Sequence, residues 1–108
     1  VIELLKKQDH YRTGFWYVSD HGESTSESGM YLHGAPYAMA PSQQTRIPMM
    51  MWFSAAWKKA EPAQLDCLIK ERDQELSHDN LFPSLLNLLN IKTKTIDENY
   101  NMLRQCGA

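Results

Sequence analysis

Residues 14–23 read GFWYVSDHGE, in which an aromatic and β-branched run passes directly into an acid, an imidazole, a glycine and a second acid. Residues 14–19 show no alternation of apolar and polar side chains, which is typical of a strand covered on both faces, as in a parallel sheet. In open α/β sheets, ligands bind at the carboxyl ends of the strands. The SDHGE segment lies at such an end, so it is either a solvated surface turn or a metal site.

The pattern along the rest of the chain predicts an α/β fold. A second continuous apolar run, IPMMMWF at residues 47–53, predicts another buried strand. Helical patterns occupy four other segments, at residues 1–10, 62–74, 77–89 and 97–103. The order helix, strand, long loop, strand, helix, helix is typical of the α/β class. Because two strands do not form a stable sheet by themselves, we expect the remaining strands outside this segment or in a partner chain.

The predicted helices carry signals for where they begin and what they bury. Leu65, Leu68 and Ile69 are expected to face the core from the helix over residues 62–74. Ser77 is a suitable N-cap for the next helix, because its hydroxyl can accept a hydrogen bond from an unpaired backbone N–H. The leucines and the phenylalanine of residues 81–89 form a wide apolar stripe, which predicts a buried face.

Composition and charge exclude several classes of protein. The chain has 108 residues, 43% of them hydrophobic, a fraction typical of one globular domain or a piece of one. Its net charge of −2 gives no electrostatic footprint for nucleic acid. No apolar run reaches the roughly 20 residues of a membrane helix. Cys67 and Cys106 lack the CxxC spacing of a structural zinc site, so they are either free thiols or a disulfide.

The side chains of the SDHGE segment suit a zinc ion. Asp20 offers a carboxylate oxygen and His21 a neutral nitrogen, both common zinc ligands. Adjacent residues of a regular strand point to opposite faces, so these two share a metal only where the strand breaks, and Gly22 supplies a break. His33 lies in the long loop and either folds back to the same site or lies on the surface. Glu23 is either an acid behind the ligands or a solvated side chain.

Three motifs together resemble a known family of enzymes. They read YVSDHGES, GMYLHGAPYAMAPSQQTRIPMMMWFS and SHDNLFPSLLNLL, and they occur in this order. They resemble the C-terminal part of the phosphoethanolamine transferases that modify lipid A and related envelope glycans, a family that includes the mobile colistin-resistance enzymes. That family belongs to the alkaline phosphatase and sulfatase superfamily. The resemblance implies a partial alkaline phosphatase-like α/β/α sandwich with a few strands of a mainly parallel sheet.

The resemblance also implies roles for individual residues. Asp20 and His21 match the aspartate and histidine that bind the catalytic zinc, and Glu23 matches the acid of the same motif. His33 matches the histidine placed near the transferred phosphate or a second zinc, and we assign it a catalytic role. The nucleophilic threonine and the other acidic zinc ligands of the family lie upstream of these residues. Pro83 is a departure, since many relatives have histidine there.

The implied activity is the transfer of phosphoethanolamine from phosphatidylethanolamine to lipid A or another envelope glycan, through a phosphorylated threonine. Zinc is the implied cofactor, and the phospholipid donor and the lipid A or glycan acceptor are the implied partners. Alternatives are a sulfatase or phosphoglycerol transferase of the same superfamily, or a non-catalytic truncated or domain-swapped module. We expect the 108 residues alone to be inactive and to bind zinc weakly or not at all.

The resemblance places the parent protein in the inner membrane, anchored by upstream helices. Residues 1–108 would be the C-terminal portion of its periplasmic catalytic domain. In that oxidising compartment, we expect Cys67 and Cys106 to pair. Exposed sheet edges favour self-association of the segment.

Overall fold

The structure is a computed structural model of the chain, and it describes residues 1–25, 31–32, 36, 38–40 and 42–106. The chain divides into two compact units, Val1–Ala56 and Trp57–Ala108. The described elements up to residue 53 are, in chain order, helix α1 at Ile2–Lys6, strands β1 at Gly14–Val18, β2 at Ser24–Thr25 and β3 at Tyr31–Leu32, helix α2 at Ser42–Thr45 and strand β4 at Met49–Phe53. This mixture of helices and strands agrees with the predicted α/β class.

The first unit is organised by the pairing of β1 with β4. The two strands are antiparallel and pair over all five residues, from Gly14 opposite Phe53 to Val18 opposite Met49. The pairing continues one step beyond the strands, because the Ser54 N–H donates to the Thr13 carbonyl at 2.8 Å. The Ser54 hydroxyl oxygen also accepts from the Thr13 N–H at 3.1 Å. Ser54 is therefore a buried polar residue that closes one end of the ladder.

The antiparallel direction of this pair corrects the expectation of parallel strands. A parallel pair needs a crossover that returns the chain to the same end of the sheet, usually through a helix. Among the described residues between β1 and β4, the only helix is α2, which has four residues. The faces also differ from the expectation, since Tyr17 is 42% exposed and Met50, its partner across the ladder, is 57% exposed. The uninterrupted apolar runs therefore predicted the strands, but neither their relative direction nor the burial of both faces.

The second unit is mostly helical. Helix α3 at Ala55–Ala60 begins in the first unit and continues into the second. Helices α4 and α5 span Pro62–Lys70 and Leu81–Leu88, and short 3-10 helices span His78–Asn80, Glu98–Tyr100 and Arg104–Cys106. The predicted N-cap is confirmed, because the Ser77 hydroxyl accepts from the Asp79 N–H at 3.2 Å. The Ser77 N–H in turn donates to Asn80 Oδ1 at 2.8 Å, so both ends of a capping box are present.

The core of the second unit joins α4 and α5 to the end of the chain. The buried hydrophobic residues among those described are Leu65, Cys67, Leu88, Met102 and Leu103. The fully buried Ser84 hydroxyl accepts a hydrogen bond from the Met102 N–H at 2.9 Å. This bond satisfies a backbone donor that is shielded from water, where an unpaired group would be costly.

Two predicted core contributions of the helices are wrong for this chain. Ile69 is 61% exposed, although Leu65 on the same helix is buried as expected. The apolar stripe of α5 is largely open, with Phe82 58% and Leu89 53% exposed. The buried residues of α5 are instead Pro83, Ser84 and Leu88. An apolar stripe in the sequence shows how much apolar surface a helix carries, and it does not show what covers that surface. No element among the described residues covers the whole stripe of α5.

A disulfide joins Cys67 of α4 to Cys106 of the last 3-10 helix, with the Cα atoms 5.9 Å apart. The sequence left free and paired cysteines open, and the structure has the paired alternative. The bond closes a loop of 39 residues, which includes α5 and the core residues Met102 and Leu103. It therefore constrains the segment that completes the core of the second unit.

We predict that Cys106→Ser lowers the free energy of unfolding by about 4 kcal/mol, because a cross-link over a loop of this length removes that much conformational freedom from the unfolded chain. Urea denaturation of the variant and the original protein measures the difference. In excess reductant the two proteins should unfold at the same urea concentration, which provides the control. Alkylation of both thiols in unreduced protein purified from an oxidising compartment would contradict the pairing.

Candidate metal centre

The candidate ligands lie in a turn that begins where β1 ends. The strand stops at Val18, so Asp20 and His21 follow in irregular backbone and are not bound by the alternation of a strand. The Ser19 hydroxyl donates to the His21 carbonyl at 2.7 Å. The His21 N–H donates to Asp20 Oδ1 at 3.0 Å. These two bonds close the turn within three consecutive residues.

The imidazole of His21 is oriented by the backbone of the next residue. Its Nδ1 lies 2.9 Å from the Gly22 carbonyl oxygen. A carbonyl oxygen can only accept, so this contact requires the proton on Nδ1. In the neutral ring Nε2 then carries the lone pair. Such a contact from the second ring nitrogen commonly fixes the orientation of a metal-binding histidine.

The carboxylate of Asp20 and the imidazole of His21 converge on one side of the turn. Asp20 Oδ2 lies 3.6 Å from His21 Nε2, and the side chains are 88% and 37% exposed. Two ligands of a tetrahedral zinc ion, each about 2.1 Å from the metal, are separated by about 3.4 Å. The observed separation and the oxygen and nitrogen donors therefore fit two of the four ligands of a zinc ion.

Glu23 and His33 are the other two residues predicted for this site. Glu23 is exposed just after the turn. His33 lies outside the described residues. Within the described ranges, no three histidine, cysteine, aspartate or glutamate side chains form a group that could hold a metal. The pair thus supplies two donors, whereas zinc sites in proteins have at least three protein ligands.

Sequence reasoning missed the two groups that shape the turn. These are the Ser19 hydroxyl and the Gly22 carbonyl, which contact the backbone and the ring of His21 respectively. A serine directly before an aspartate is a signal for a local turn, because both side chains bond to nearby backbone groups. The carbonyl has no sequence signal, since every residue carries one.

Comparison with known proteins relates this chain to a family. The family model described as Sulfatase matches residues 1–91. Phosphoethanolamine transferase EptA of Escherichia coli strain K12 is 44% identical over 107 residues, which is 97% of this chain and 20% of the relative. The chain therefore spans about a fifth of the length of that relative.

Two solved structures share the fold with this chain. The integral membrane protein lipooligosaccharide phosphoethanolamine transferase A (EptA) from Neisseria meningitidis superposes with a TM-score of 0.87 and 44% identity, over 97% of this chain and 20% of the other. The C-terminal periplasmic domain of phosphoethanolamine transferase EptC from Campylobacter jejuni superposes with a TM-score of 0.79 and 42% identity, over 94% and 31% respectively. These likenesses confirm the predicted fold class, a partial alkaline phosphatase-like α/β domain.

No helix among the described residues combines the length and apolar character needed to cross a membrane.

The match of the family model to most of the chain, together with the two structural likenesses, shows that this chain belongs to the sulfatase family.

Proposed function

We propose that this chain is the C-terminal portion of the catalytic domain of a zinc-dependent phosphoethanolamine transferase. The transferred group would come from phosphatidylethanolamine and pass to lipid A or another envelope glycan. The observation that carries the proposal is the convergence of Asp20 Oδ2 and His21 Nε2, 3.6 Å apart, in a chain 44% identical to a phosphoethanolamine transferase. The family model alone would suit a sulfatase equally well; the identity to transferases favours this reaction.

In this proposal Asp20 and His21 hold the metal and the turn fixes their directions. A bound zinc ion supplies positive charge that stabilises the phosphoryl oxygens and the attacking oxygen. His33 would donate a hydrogen bond to the oxygens of the transferred phosphoryl group or to the leaving group. Glu23 acts behind the ligands. The remaining ligands and the nucleophilic threonine come from residues outside this chain.

The proposed location is the periplasmic face of the inner membrane. Support comes from the two structural relatives, one described as an integral membrane protein and the other as a periplasmic domain. The Cys67–Cys106 disulfide is consistent with an oxidising compartment. A phospholipid donor also requires an enzyme held close to the membrane.

We predict that Asp20→Ala and His21→Ala in the full-length protein each weaken zinc binding by more than about 100-fold, because even the residues behind a metal ligand contribute up to that much. Phosphoethanolamine transfer should be lost with the metal.

His33→Gln should retain zinc and lower kcat by about 100-fold, as expected for one lost donor to the phosphoryl oxygens. Zinc affinity by chelator competition and transfer to lipid A by mass spectrometry measure both effects.

The chain provides a matched control in a second Asp-His pair. Asp9 and His10 are adjacent and exposed in the same unit, and no described contact joins them. Asp9→Ala and His10→Ala should leave zinc affinity and transfer unchanged. Full transfer by the Asp20 and His21 variants would contradict the proposal. Turnover of a sulfate ester in place of phosphoethanolamine transfer would instead support the sulfatase alternative.

We also predict that the 108-residue chain alone is catalytically inactive, binds zinc weakly or not at all, and self-associates. Two described donors are too few for tight zinc binding. Among the described residues β1 and β4 form a two-stranded sheet, whose edges can pair with another copy. Exposed apolar side chains such as Met50 and Phe82 can pack against that copy. Elemental analysis and sedimentation velocity test this. A monomer with one tightly held zinc, or measurable turnover of a phosphoethanolamine ester, would contradict it.

A further inference from the structure

We infer that Ser19 is a positioning residue whose hydroxyl holds the turn in the form that presents His21 Nε2 beside Asp20 Oδ2. This inference rests on the proposed function, since it concerns how the same site is built. Ser19 is half-buried and directly follows the last residue of β1, whereas Asp20 is 88% exposed. The hydroxyl therefore links the end of an anchored strand to the turn that follows it.

The hydrogen bond from Ser19 acts on the peptide group that links His21 to Gly22. It fixes the His21 carbonyl at 2.7 Å from the hydroxyl oxygen. The orientation of that peptide group determines where the Gly22 backbone lies, and the Gly22 carbonyl is the acceptor that faces Nδ1 at 2.9 Å. The position of Nε2 thus depends on Ser19 through two successive backbone contacts.

The anchor of Ser19 is the strand ladder. Val18, the residue before it, pairs with Met49 at the last position of the β1–β4 register. Without the hydroxyl, the turn would lose the bond to the His21 carbonyl and keep the contact between the His21 N–H and Asp20 Oδ1. That contact uses the carboxylate that must also bind zinc. Loss of the hydroxyl should therefore broaden the distribution of ligand positions and weaken the metal without removing a ligand.

The test is the zinc dissociation constant of the full-length protein, measured by competition with a chromophoric chelator. Ser19→Ala should weaken zinc by about 10-fold, the lower end of the effect of groups that orient metal ligands. Ser19→Thr keeps a hydroxyl at the same position and should stay within about 3-fold of the original protein. At saturating zinc, Ser19→Ala should recover most of its phosphoethanolamine transfer, because both ligands remain.

Ser54→Ala is the matched control. It removes a serine hydroxyl that bonds to the backbone at the other end of the same ladder, where the oxygen accepts from the Thr13 N–H at 3.1 Å. It should lower the thermal unfolding temperature and leave the zinc constant unchanged. This control separates a general loss of strand stability from a specific effect on the turn.

Each outcome has a distinct meaning. Unchanged zinc affinity in Ser19→Ala, with zinc lost in Asp20→Ala, would overturn the role of Ser19 and leave the proposed function intact. Equal weakening in Ser19→Ala, Ser19→Thr and Ser54→Ala would also overturn it, because the effect would then follow from stability. Absence of zinc binding by the original full-length protein would overturn both proposals.

Discussion

The antiparallel ladder between β1 and β4 is the interaction on which the candidate centre depends. It pairs five residues of each strand, and the Val18–Met49 pair lies at the end next to the turn. Asp20 is largely exposed, His21 is half-buried, and both follow the strand by only a few residues, so the ladder provides the support for them. A metal site needs ligand positions held within a fraction of an ångström, and such positions are more accurate next to a strand than within a long loop.

The secondary structure could be predicted from the sequence where a local physical signal specifies it. The aromatic and β-branched run located β1, and Ser77 marked the start of a helical segment because its hydroxyl caps a backbone N–H. Strand direction could not be predicted, because an apolar run reports only burial. The exposure of Ile69 and Phe82 could not be predicted either. Burial depends on elements distant in the chain, and an amphipathic helical pattern does not show which element packs against it.

The candidate site was predictable in its chemistry and only partly in its geometry. The residue types of Asp20 and His21 indicated zinc, and the family resemblance assigned the role. The convergence of their side chains was not predictable, because it depends on the Ser19 hydroxyl and the Gly22 carbonyl, which set the backbone path of the turn. His33 lies outside the described residues, and its catalytic role remains a proposal that rests on the LHG motif.

The central claim is that Asp20 and His21 are two ligands of one zinc ion and that His21 binds through Nε2. Anomalous diffraction at the zinc absorption edge, from crystals of the full-length protein, tests this most directly. The account predicts an anomalous peak about 2.0–2.2 Å from both Asp20 Oδ2 and His21 Nε2, with Nδ1 still bonded to the Gly22 carbonyl. A zinc peak remote from this turn, or coordination through Nδ1 of His21, would contradict it.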